Sequence, residues 1–283
     1  MSPISLRSRH VRRSESLIRV FVILLLIGCS SQKEHAPSND VLAVANESQV
    51  RTWMDQTEIS DRPIKASLLM ARMLAIDSTC SQRRRVVEVL IEYHPDLKFV
   101  DNAGNALLIL AISSNCMQLV DELLVAGLNP NVGNVQSGVT PLAFSCEYGH
   151  YDAIPVLLKH GAKTDVADSL GRFPVHDCSF MCPEFVKTIV YTDSKAINVP
   201  DTYGILPLAY VIMSNRPNAV RIEAIDALLE RGADPSLEMF VSEIPDSTVG
   251  FRTYVQSSPE SGESPAEFAA RIGNIEIARI LQR

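Results

Sequence analysis

The sequence predicts an all-α protein, a solenoid of paired antiparallel helices preceded by a leader and a polar spacer. Three observations predict it. Leu108, Leu142, Val175 and Leu208 each open a short helical pattern and recur 34, 33 and 33 positions apart. Gly127 and Gly161, also 34 apart, each close a second helical pattern. From Ile64 onward, two stretches with helical spacing, SLLMARMLAI and RRRVVEVLIEYH, flank a polar break at 77–81 and read as a helical hairpin. A period in this range marks units that cannot cover their own apolar faces and therefore stack.

Residues 1–28 read as a secretory leader: an Arg-rich stretch to Arg19, the apolar run Val20 to Gly28, then Cys29 and polar residues. The run has nine residues, far below the roughly 20 a permanent membrane helix needs. Leu26-Ile27-Gly28-Cys29 resembles the lipobox of bacterial lipoproteins. That resemblance implies cleavage before Cys29, a diacylglyceryl thioether on its thiol, an acyl chain such as palmitate on the freed amine, and a protein anchored to the membrane by lipid. Ser30 in the following position favours the outer membrane, with the folded part facing the periplasm. Residues 29–40 read as a flexible tether. Residues 41–99 read as a helical N-terminal region: Asp40 is the expected N-cap of a helix over Val41–Gln56, and the hairpin from Ile64 is a divergent first repeat.

Residues 100–283 carry the repeats. The clearest unit runs Gly138-Val-Thr140-Pro141-Leu142 through Gly149-His150 and Leu157-Leu158 to Gly161-Ala162 and Asp165. It closely resembles the ankyrin repeat. Weaker copies keep the register: Asp101 to Asn131, Asp168 to Val190, Gly204 to Pro235 with about five extra residues between its helices, and Ser264 to Leu281. The resemblance implies an ankyrin-repeat solenoid with short β-hairpin tips. Pro at the first helical turn pre-sets φ, and Gly after the second helix accepts a left-handed cap. Pro155 departs from the consensus but falls in a first turn, where no N–H is needed. An insertion at about 238–262, punctuated by Pro, Ser and Gly, has no assigned role.

The charge argues against nucleic acid as a partner. Five basic residues and one acid lie in the first 28 positions, so the net charge of −7 becomes −11 without them. Phosphate backbones repel such a chain. No Gly-rich phosphate loop, HExxH, GxSxG or paired-cysteine zinc spacing occurs. The sequence therefore calls for no enzyme activity, cofactor, metal or small-molecule substrate. One cluster argues the other way: His176, Cys178 and Cys182 fall near one helix face and form the alternative metal or catalytic centre. In the ankyrin resemblance, His176 instead takes the slot whose His bonds its own repeat's backbone, and Cys178 a small core slot. Cys80, Cys116, Cys146, Cys178 and Cys182 number five, so at least one is unpaired. Cys80 and Cys116 both fall between helices of adjoining units. Repeats stacked about 10 Å apart exceed the disulfide Cα limit of about 7 Å, so any bridge needs favourable offsets and no pair is assigned.

The resemblance implies a protein-binding scaffold that works through its tips and first helices. In this register Tyr148, Leu170, Phe180, Met181, Tyr203 and Ile205 form an apolar strip across three units, joined by Arg172 at a tip. A specific version resembles immunity proteins that guard the periplasm against secreted toxins. A constitutive structural role in the envelope is a further alternative.

Overall fold

The computed structural model describes residues 45–76, 79–241 and 259–282, and among them every regular element is helical. The leader, Cys29, the tether and the start of the expected 41–56 helix lie outside the described residues. The described residues divide into two compact units: those up to Asn129 with Asn134–Gln136, and Pro130–Gly133 with those from Ser137 onward.

In the first unit α1 is Glu47–Asp55, and its N-cap is Asn46 instead of Asp40. The Asn46 side chain accepts from the Gln49 N–H, and the Gln49 side chain accepts from the Asn46 N–H, both at 3.0 Å. This reciprocal cap satisfies two donors at once. The expected hairpin follows as α2, Arg62–Ala75, and α3, Cys80–Glu92, which bury Leu69, Met70 and Met73 with Val86, Val87 and Leu90. The next pair is α4, Leu107–Ser113, and α5, Met117–Val125. Cys80 and Cys116 do form a disulfide, with Cα atoms 5.4 Å apart. Both sit where a second helix begins, Cys80 as the first residue of α3 and Cys116 as the cap of α5, and there the backbones approach more closely than the mean repeat spacing.

The second unit comprises α6, Pro141–Tyr148, and α7, Ala153–Lys159; α8, Pro174–Met181, and α9, Val186–Thr192; α10, Pro207–Met213, and α11, Asn218–Glu230; and α12, Pro265–Arg271, with α13, Ile275–Leu281. Proline opens each of α6, α8, α10 and α12. Two of these helices have polar caps: the Thr140 hydroxyl accepts from the Ala143 N–H, and Ser264 shares a reciprocal cap with Glu267. Phe173 offers no capping oxygen before α8, so His176 Nδ1 accepts the Phe173 N–H at 3.0 Å instead.

Asparagines tie neighbouring loops to the ends of second helices within this unit. Asn131 donates to the Gly161 carbonyl and accepts from the Lys163 N–H, and Asn198 repeats both bonds at Gly232 and Asp234. The described ends of the 238–262 insertion are held by the Met239–Glu263 bridge. Phe240 closes over Gly204, which has φ +82°, so a Cβ there would lie 2.3 Å from the Phe240 carbonyl oxygen. Gly204→Ala should therefore cost more than the roughly 1–2 kcal/mol of a left-handed alanine alone. Gly232→Ala, at φ +95° in open space, carries only the conformational penalty. Urea melts of the two variants should separate by the steric part, and equal midpoints would remove Phe240 from the account.

Candidate partner-binding face

The tips are built from one recurring device. Asp101, Asn134, Asp168 and Asp201 stand 33, 34 and 33 positions apart. At Asp168 the Oδ1 accepts the N–H groups of Leu170 and Arg172, both at 2.9 Å, and at Asp201 it accepts those of Tyr203 and Ile205 at 2.9 Å. The Asp168 N–H donates to the Arg172 carbonyl, and the Gly171 N–H to the Asp168 carbonyl. A single closed turn of this kind leaves too few backbone pairs for strands, so the expected β-hairpin tips are hydrogen-bonded turns among the described residues. Each tip also grips the one before it in the second unit: Ser169 N–H to Ser137 carbonyl at 2.7 Å, and Thr202 N–H to Leu170 carbonyl at 2.9 Å. The tips are thereby locked in register.

The slot four residues after the aspartate points inward, which corrects two of the expected contact residues. Ile205 has no exposed surface and belongs to the core beneath its tip. Arg172 fills the same slot in the preceding unit, with its side chain 16% exposed. Its guanidinium contacts Asp168 at 2.9 Å, Asp177 at 3.2 Å and Glu147 at 3.8 Å. Burial works against its charge, but Asp177, Glu147 and Asp168 outweigh that and hold the guanidinium protonated. Burial pushes the Asp177 carboxyl well above its ordinary range, with Glu147 and Asp168 adding repulsion and Arg172 opposing. Glu147 is raised by the same burial. Arg172 thus ties the tip to α6 and α8 and positions the face without being a contact on it.

The other residues of the expected strip are accessible to different degrees. Tyr148, 47% exposed, stacks on Phe144 with ring centroids 4.5 Å apart. Leu170 and Tyr203 sit half-exposed on their tips. Phe180 and Met181, also half-exposed, lie at the far end of α8 and line a cavity of about 110 Å³ with Tyr151, Asn215 and Arg216. Arg216 closes this cavity by donating to the Met181 carbonyl, through Nη2 at 3.0 Å, and to the Tyr151 hydroxyl at 3.3 Å. The strip residues thus occupy two kinds of position, Leu170 and Tyr203 on tips and Tyr148, Phe180 and Met181 at the ends of first helices. Sequence reasoning missed Asp168, Asp201, Tyr151 and Arg216. The even spacing of the aspartates was the signal for the first two, and no local pattern marks the others.

The alternative centre at His176, Cys178 and Cys182 is assembled differently from the expected set: the sulfur atoms of Cys178 and Cys182 cluster with that of Cys146, and His176 does not join them. His176 is buried with both ring nitrogens engaged: Nδ1 accepts from Phe173, and Nε2 bears the proton donated to the Val199 carbonyl at 3.0 Å. Burial lowers its pKa to about 3, so the ring stays neutral and structural. Cys178 is bonded to Cys146, and Cys182 is the free, buried cysteine among the described residues. Among the described residues no helix is long and apolar enough to cross a membrane.

Residues 73–168 match the family model described as ankyrin repeats in three copies. The ankyrin repeat protein nuc-2 of Neurospora crassa is 27% identical over 158 residues, 55% of this chain and 14% of its own length. The phosphocholine transferase AnkX of Legionella pneumophila is 30% identical over 133 residues, 46% of this chain and 14% of its own. The chain thus spans about a seventh of the curated relatives it matches. Among solved structures, a chain from the Bd0816 predatory endopeptidase of Bdellovibrio bacteriovorus in complex with immunity protein Bd3460 aligns with TM-score 0.52 and 24% identity, covering 70% of this chain and 90% of that one. The chain contains ankyrin repeats, and its fold is the all-α repeat solenoid.

Proposed function

We propose that this protein is a lipid-anchored scaffold of the bacterial envelope that binds a protein partner through the tips and first helices of its second unit and carries out no catalysis itself. The observation that carries the reading is the set of accessible apolar side chains, Tyr148, Leu170 and Tyr203, mounted on turns and helix ends that hydrogen bonds hold rigid. A preformed apolar patch of this kind loses little ordering entropy on association. Stacked repeats present such surfaces side by side. The leader and Cys29 support anchoring at the periplasmic face, with the outer membrane favoured by Ser30. The solved complex that includes a chain of similar fold pairs the Bd0816 predatory endopeptidase with immunity protein Bd3460. By extension we infer a guard protein that neutralises an enzyme acting in the periplasm.

Crosslinked capture from intact envelopes tests the reading. Wild-type protein should retain a protein partner, and a Tyr148→Asp, Tyr203→Asp variant with an unchanged thermal melt should lose it at least about tenfold, as expected when two aromatic anchors are removed. Equal capture by both forms removes the face from consideration. The Cys29→Ser variant should move from the membrane to the soluble fraction while still binding the partner in solution; persistence in the membrane would end the lipid-anchor reading.

A further inference from the structure

We propose that Cys146, Cys178 and Cys182 form one interchangeable disulfide site, in which a bridge between successive repeats and a free thiol trade places. Their three sulfur atoms lie within 4.8 Å of one another, and all three residues are fully buried. The bridge runs from Cys146 in α6 to Cys178 in α8, whose Cα atoms are 5.0 Å apart, leaving Cys182 as the thiol. Cys182 caps α8 and donates its N–H to the Cys178 carbonyl at 2.9 Å, which puts it one helical turn beyond Cys178 on the same face. Residues in that relation fall within the Cα separation a disulfide tolerates, roughly 4.4–6.8 Å.

Exchange needs no outside oxidant or reductant. The Cys182 thiol gives up its proton and the thiolate attacks Cys178 Sγ. A Cys178–Cys182 bond forms as the Cys146–Cys178 bond breaks, and Cys146 leaves as a thiolate that takes up a proton. Attack on Cys146 Sγ gives a Cys146–Cys182 bond and a Cys178 thiol by the same balance. The products differ in what they hold. Bonds involving Cys146 tie α6 to α8, whereas Cys178–Cys182 is confined to one helix end and releases that tie. Tyr148 closes α6, and Phe180 and Met181 close α8, so exchange alters the link beneath the proposed face. This last consequence rests on the proposed function; the exchange itself does not.

Burial pushes the Cys182 thiol up, Glu184 and Asp177 act in the same direction, and Arg216 opposes them. Tyr151 is the phenol coupled to the same thiol, and its own pKa is also raised by burial. The attacking thiolate is therefore scarce at neutral pH, and exchange is slow but accelerates about tenfold per pH unit.

The test uses purified full-length protein, never reduced, held at pH 7, 8 and 9. Samples are quenched in acid, alkylated in denaturant, and the labelled cysteine is located by fragment mass spectrometry. The expected result is label leaving Cys182 for Cys146 or Cys178, with a rate rising about tenfold per pH unit. Label confined to Cys182 at pH 9 while the fold persists overturns the proposal, as does label on Cys80 or Cys116, which marks general scrambling. Separately, Cys146→Ser and Cys178→Ser are treated with oxidised glutathione, which accepts the two electrons. Each should form its remaining bridge, Cys178–Cys182 or Cys146–Cys182. Two thiols surviving in a folded variant, under conditions that close the bridge in Cys182→Ser, also overturn it.

Discussion

Arg172→Met should destabilise the protein by about 3–5 kcal/mol at pH 7, the usual cost of removing one partner from a buried charge cluster. The methionine keeps much of the aliphatic stem's packing but leaves Asp168, Asp177 and Glu147 facing one another without a cation. The loss should depend on pH with a definite sign. Asp177 and Glu147 have folded-state pKa values above their unfolded ones, so their contribution to stability is present below about pH 4 and is lost as pH rises through the folded values. Removing Arg172 raises those folded values further and extends the loss to higher pH. Chemical denaturation of wild type and variant should therefore diverge most near neutrality and least near pH 4. A constant difference across that range would show that the guanidinium does not compensate these carboxylates.

Removing the Cys80–Cys116 bridge by paired alanine substitutions should cost about 4 kcal/mol. The two residues are 36 apart, and closing a loop of that length restricts the unfolded chain substantially. The bridge lies wholly in the first unit, as does the single tryptophan, Trp53 in α1. Tryptophan fluorescence in urea should report the shift directly. An unchanged midpoint in the paired variant would show that the loop constraint contributes nothing to that unit's stability.

Much of the fold was legible because its signals are local. A 33-to-34 spacing, proline at first turns and glycine after second helices each follow from the backbone geometry of one unit, whatever its neighbours do. The start of α1 was misplaced at Asp40, although Asn46 followed by Gln49 carries the capping-box pattern that Asp40 lacks. The site was less legible because burial depends on neighbouring units. Ile205 reads as a turn residue, yet the slot four positions after Asp201 turns beneath the tip. Arg172 in the matching slot reads as exposed for its charge, and only the placement of Glu147 and Asp177 on adjoining helices explains its burial. Cys146 and Cys178 are 32 residues apart, close to one repeat. Whether such a pair meets is set by the offset between stacked helices, which one unit's sequence does not encode.

The most direct test of the scaffold reading is site-specific photocrosslinking in living cells. A photoreactive phenylalanine analogue is placed at Tyr203, on a tip of the second unit, or at Tyr191, which is 48% exposed on second helix α9. Capture of one discrete protein from Tyr203 and none from Tyr191 is the predicted result. Capture from Tyr191 with none from Tyr203 would contradict it and move the partner to the second helices.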